Sequence, residues 1–149
     1  MKQLILFIGV LIATSSSLFA QQPDIFKTNG NAVRGYDVVA FFTEGKPVKG
    51  DSQFVYHWKD ADWRFANKTD LELFKAAPEK YAPQYGGYCA YGTAGGHKSP
   101  TDPAATWTIL DGKLYFNYNA DVKKMWSKDI PGFIKKADEN WPSLQNKQQ

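Results

Sequence analysis

The hydrophobic and polar positions of the chain fall into short blocks of two periodicities. Phe54, Tyr56 and Trp58 alternate with Val55 and His57, a period of two that predicts a β-strand. Lys59-Asp60-Ala61-Asp62 reads as a polar turn, and residues 63–66 return as a second strand, closing a hairpin. A second hairpin is marked by Asp111-Gly112, a favoured two-residue turn. That turn sets Ile109 opposite Leu114 and Trp107 opposite Phe116, with all four on one buried face. A helical period then takes over. Asn119 caps a helix with Val122, Met125 and Trp126 on one side, and Ile130, Phe133, Ile134, Ala137 and Trp141 continue the spacing after a break at Pro131-Gly132.

Between these blocks the pattern is less regular. Tyr36-Asp37-Val38-Val39-Ala40-Phe41-Phe42 is apolar and compatible with either a short helix or a strand. Thr69-Asp70-Leu71-Glu72 fits a capping box, with a helix to about residue 77 that turns Leu71 and Phe74 inward. Pro78 opens a further helical turn, which Pro83 ends. Residues 85–99 hold five glycines around Cys89 and His97, and read as a partly extended loop. No internal repeat or linker appears. The expected fold is α+β: one small domain with two antiparallel hairpins packed against C-terminal helices.

The ends of the chain add a destination. Lys2 precedes an apolar run over residues 4–13, and Leu18-Phe19-Ala20 ends in a small residue, the layout of a secretory signal peptide cut after Ala20. The run is too short to span a bilayer, which needs about 20 apolar residues. The expected organisation is a signal peptide over 1–20, a loose lead-in over 21–33, a domain over 34–144 and a polar tail over 145–149. The mature protein is expected to be exported, periplasmic or secreted, with no transmembrane segment. A net charge of +3 is too small to argue for a nucleic-acid partner. Aromatic residues make up 15% of the chain, so the core is expected to be built from large rings. Cys89 is the single cysteine, so no internal disulfide can form.

Several motifs in order carry a family resemblance. They are Gly35-Tyr36-Asp37-Val38-Val39-Ala40-Phe41-Phe42, then Tyr56, Trp63-Arg64-Phe65-Ala66, Phe74 and Pro78-Glu79-Lys80-Tyr81, then Tyr85-Gly86-Gly87-Tyr88-Cys89-Ala90. Asp102-Pro103 and the Asp111-Gly112 hairpin follow. Over nearly the whole mature chain the sequence resembles exported proteins of the YHS domain family. Short members of that family occur beside copper-transport machinery and are suspected of binding metal through two cysteines. Position by position, those cysteines fall on Ala40 and Ala66 in this chain. Soft metals such as Cu(I) require thiolate, thioether or imidazole ligands, and alanine supplies none.

The groups left that can ligate a metal are Cys89, His97 and His57. His57 faces away from Tyr56 and Trp58 on its strand and reads as a surface or half-buried strand residue. His97 reads as an exposed loop residue. Free cysteine is commonly buried, and Cys89 among glycines suits either a packed thiol or a ligand contact. Candidate pocket residues are Tyr36, Asp37, Tyr88, Cys89 and Trp107, which join the first motif, the cysteine loop and the second hairpin. Asp37, Asp102 and Asp111 read as caps or turns rather than a catalytic carboxylate pair. The chain lacks Gly-x-Ser-x-Gly, His-Glu-x-x-His and phosphate-loop motifs. The expected function is non-catalytic binding of a small ligand or a metal ion, copper or another transition metal, near the glycine-rich cysteine loop. Two alternatives stand beside it: a thiol enzyme using Cys89, and a structural domain with a protein partner.

Overall fold

The structure is a computed structural model, and it describes residues 22–145. The expected signal peptide and its cleavage point therefore lie outside the described residues, as does the tail beyond Gln145. The fold is α+β, with seven helices and two small sheets among the described residues.

The larger sheet is built from two hairpins. β1 (Lys27–Thr28) and β2 (Asn31–Ala32) are antiparallel, β3 (Asp51–Trp58) and β4 (Ala61–Phe65) are antiparallel, and β2 runs parallel to β4. The order across the sheet is β1-β2-β4-β3. The segment expected to be a loose lead-in thus forms an edge of the sheet, and Ile25, Phe26, Ala32 and Val33 are buried. The signal for it was Asn29-Gly30, which form a two-residue turn with φ of 50° and 82°. Both central residues of a type I′ turn need positive φ, and Asn-Gly is the favoured pair. Lys59 and Asp60 make the same turn between β3 and β4, so the second strand begins at Ala61 rather than Trp63.

The apolar block after Asp37 is helical: α1 (Val38–Thr43) starts where the Asp37 carboxylate accepts from the amides of Val39 and Ala40. α2 (Lys68–Ala76) is capped by Asn67, not Thr69. Asn67 accepts from the Asp70 amide at 2.8 Å and its own side-chain amide donates to the Asp70 carboxylate at 3.2 Å. The cap pattern is therefore shifted two residues earlier, with asparagine in place of threonine. α3 (Pro78–Tyr81) begins at its proline as expected.

Residues 85–99 are not an extended loop. A tight 3-10 turn (Gln84–Gly87) leads into α4 (Ala90–Ala94), and Cys89 is the residue that caps it. After α5 (Pro103–Thr106), capped by Asp102, come β5 (Thr108–Leu110) and β6 (Lys113–Tyr115). Their register opposes Ile109 to Leu114, with Asp111 and Gly112 at φ of 51° and 71°, as the sequence indicated. α6 (Ala120–Trp126) is capped by Asn119, and α7 (Ile130–Leu144) by Asp129. Pro131-Gly132 opens α7 instead of interrupting a longer helix, because a proline in the first turn lacks only an amide that has no helical partner.

The core has two parts, separated by the β5–β6 hairpin. On one side Leu114 and Phe116 join Val38, Val39, Phe41, Trp63, Phe65, Phe74 and Tyr81. On the other, Tyr115 joins Tyr85, Ala90, Trp126 and Ala137. The expectation of one buried face on this hairpin is thus half of what occurs: Tyr115 is also buried, because α4, α6 and α7 cover the second face. Met125, expected to face inward from α6, is exposed, and Trp126 alone carries that helix's fully buried contact.

Candidate functional site

The residues proposed from sequence divide among three places. Asp37 is fully buried at the start of α1. One carboxylate oxygen accepts from Val39 and Ala40 at 2.9 and 3.2 Å, and the other from the Ala66 amide at 2.8 Å. Burial pushes its pKa up to about 6, against the lowering effect of the Ala66 amide, and the buried Asp70 beside it raises it further. Asp37 is a cap, as expected, but it also faces a second buried acid that sequence reading missed. Tyr36 lies next to it with the Lys49 ammonium 3.9 Å from its ring centre. Trp107 packs on Phe41 at 5.5 Å.

Tyr88 and Cys89 lie elsewhere. The Tyr88 hydroxyl donates to the Pro23 carbonyl at 2.8 Å, its ring packs on Phe26 and Trp141, and burial pushes its pKa up to about 12. Cys89 is 1% exposed. Its sulfur accepts from the Gly92 amide at 3.4 Å and its thiol donates to Asn117 Oδ1 at 3.6 Å. Burial pushes the thiol pKa up, more than the neighbouring amides lower it. Reactive cysteines require the reverse, an accessible thiolate favoured by nearby positive charge.

The three candidate metal ligands do not converge. Cys89 is buried under α4, His97 is exposed on the following loop, and His57 is exposed on β3, 2.7 Å from Asp62. Among the described residues no group of three or more His, Cys, Asp or Glu side chains is placed to hold a metal ion. Ala40 and Ala66, the positions where the resemblance would place thiolates, both donate their amides to Asp37. Two methyl groups and a carboxylate already engaged by three amides do not fit a soft metal.

A cleft of about 890 Å³ lies between the N-terminal segment, the β3–β4 turn, the 3-10 turn and α7. Trp58, Tyr85 and Trp141 give it aromatic walls, and Asp24, Asp60, Glu79 and Asp138 give it carboxylates. None of the five pocket residues expected from sequence lines it, although Tyr85 and Gly86 of the glycine-rich segment do.

The local sequence explains how this wall is built. Tyr85 has φ of 56°, followed by Gly86 and Gly87 at 61° and 85°. The left-handed region is costly for a bulky residue, and three consecutive residues there reverse the chain sharply. The reversal turns the Tyr85 hydroxyl to Asp138, to which it donates at 2.8 Å. Burial, then this hydrogen bond and the Asp138 charge, push the Tyr85 pKa well above the usual tyrosine value. Gly86 is required by a crossing: a Cβ there would collide with the backbone oxygen of Asp24, where the N-terminal segment passes over and Phe26 donates its amide to the Gly86 carbonyl at 2.8 Å. Asp138 also borders a more open depression of about 560 Å³ against the β5–β6 turn. Among the described residues no helix is long and apolar enough to cross a membrane. Comparison with known proteins finds no matching family model, no matching curated protein and no matching solved structure.

Proposed function

We propose that this chain is an exported binding protein of the YHS type that has no thiolate metal centre and holds a small ligand in the 890 Å³ cleft. The observation that carries the reading is the cleft itself. Ligand sites are typically concave, about 300–1,000 Å³, with aromatic walls and a few convergent polar groups. The strained Tyr85 backbone at its wall adds support, since such strain persists where surrounding structure imposes it and clusters at ligand sites. The meeting of Ala40 and Ala66 on one carboxylate supports the family resemblance. It brings together two positions that lie 26 residues apart in sequence and that the resemblance pairs.

Cys89 serves this protein as a helix cap. Its burial and raised pKa argue against the thiol-enzyme alternative.

The test is a fragment screen on the isotopically labelled mature protein, read by NMR. Hits should shift the indole resonances of Trp58 and Trp141 and the amides of Tyr85 and Gly86. Hits that gather on the outer face of α2, or on none of these residues, would sink the cleft as the ligand site.

A further inference from the structure

Taking the cleft as the ligand site, we infer that its ligand is a small organic cation, a protonated amine on an apolar body, seated with its charge at Asp138. The walls carry four carboxylates against one lysine, Lys59, in a chain whose net charge is +3. Three of the four are already matched. Asp24 pairs with Lys98 at 3.2 Å, Asp60 with Lys27 at 2.9 Å and Glu79 with Lys59 at 3.1 Å. The partner of Asp138 is the neutral hydroxyl of Tyr85, which leaves its charge uncompensated among the described ion pairs.

A guest that fills the cleft takes water away from that carboxylate. An anion would then meet the uncompensated charge of Asp138, and a neutral guest would leave that charged group short of partners. An ammonium removes the penalty, because a charge-assisted hydrogen bond forms where water was lost. The rings suit the same guest. Ammonium groups are attracted to the faces of aromatic rings within about 6 Å of the centre. Two of these walls already display that contact: Lys59 lies 4.5 Å from the Trp58 ring and Lys98 5.5 Å from the Trp141 ring. The apolar body of the guest then occupies the space between Trp58 and Trp141.

The experiment titrates benzylamine, benzyl alcohol and benzoate, three probes of one shape and different charge, into the mature protein and follows the Trp58 and Trp141 indole resonances. Benzylamine should bind at least tenfold more tightly than the other two and weaken as salt is added. Asp138→Asn, which keeps an oxygen for the Tyr85 hydroxyl, should lose at least tenfold in benzylamine affinity with an unchanged melting temperature. Equal or better binding of benzyl alcohol or benzoate at these resonances, or an unchanged benzylamine affinity in Asp138→Asn, overturns the cation and leaves the cleft standing as a site. Should Asp138→Asn melt early, Glu139→Gln and the salt dependence of wild-type binding decide instead. Benzylamine binding that is insensitive to salt, or that falls as much in Glu139→Gln, overturns the inference. Failure of all three probes to move either indole overturns it together with the cleft.

Discussion

The two halves of the core, one on each face of the β5–β6 hairpin, are built from the same residue types and serve different ends. The first is closed except where Trp58 borders the cleft. Phe74 stands at its centre, 5.0–6.2 Å from the rings of Tyr56, Trp58, Trp63 and Phe65, and its polar intruder, Asp37, has both oxygens engaged by backbone amides. The second is open at its rim. Tyr85 and Trp141 belong to it, yet they also form the wall of the cleft, and the polar group that meets Tyr85 is the exposed Asp138. Rings packed on all sides hold a fold together, whereas rings packed on one side leave a face for something else. The difference assigns stability to the first half and most of the cleft's working surface to the second, with Trp58 of the first half completing the wall.

The sharpest way to break that division is to truncate each centre. Phe74→Ala should cost about 3–5 kcal/mol, measured by denaturant unfolding, because no side chain can refill a space bounded by four rings. A loss under about 1 kcal/mol would mean that the first half does not carry the fold.

Acidity offers a second probe of the closed half. The folded pKa of Asp37, about 6, lies above that of the unfolded chain, about 4. The folded protein therefore keeps a proton that the unfolded chain has lost. Its stabilising contribution is complete below about pH 4 and is lost as pH rises through 6, at about 1.4 kcal/mol per unit. Unfolding curves between pH 4 and 7 should show stability declining in this window relative to Asp37→Asn. A difference between the two proteins that does not vary with pH would show that Asp37 is not strained by its surroundings.

Cys89 sits at the seam, and its replacements separate packing from chemistry. Cys89→Ala should cost about 0.5–2 kcal/mol through loss of the α4 cap. Cys89→Ser should cost less, since a hydroxyl can accept from Gly92 and donate to Asn117 in the same way. Native protein should react slowly with alkylating reagents at neutral pH, and rapid reaction near pH 6 would reopen the thiol-enzyme alternative.

The smallest effect belongs to the open half. Tyr85→Phe removes one hydrogen bond to Asp138 and should cost about 0.5–1.5 kcal/mol in thermal unfolding. A larger loss would place Tyr85 among the residues that hold the fold.

The closed half was largely legible in the sequence. Strand alternation at Tyr56 and Trp58, the inward Phe74 and the Asp111-Gly112 register are local patterns, and local patterns survive folding intact. In the open half the helices were legible, since Trp126, Ala137 and Trp141 pack as their spacing indicated, but the cleft was not. Its wall depends on Tyr85 adopting a backbone conformation its side chain disfavours, and glycines alone read as a loop. Pairing of Asp37 with Asp70, and of Tyr85 with Asp138, joins residues 33 and 53 apart, and no spacing rule reaches that far. The edge formed by β1 and β2 was missed for a different reason: Asn29-Gly30 is a readable turn, but its flanking strands hold only two residues each, too few to show a period.

The crossing of the N-terminal segment over Gly86 sets an order of events in time. The segment is held by the Tyr88 hydroxyl on Pro23 and by Lys98 on Gln22, contacts that span 65 and 76 residues of sequence. Contacts of that range are late in folding, because the loop between the partners must close before they repay it. This N-terminal segment is thus among the last to settle, and it supplies Pro23, Asp24 and Ile25 to the cleft. The segment also carries Ile25 into the first half of the core, so the core and the cleft alike are finished only when it comes down. Slow hydrogen exchange should therefore reach the Phe26 amide later in refolding than the amides of β3 and β4, and ligand binding should appear with the former.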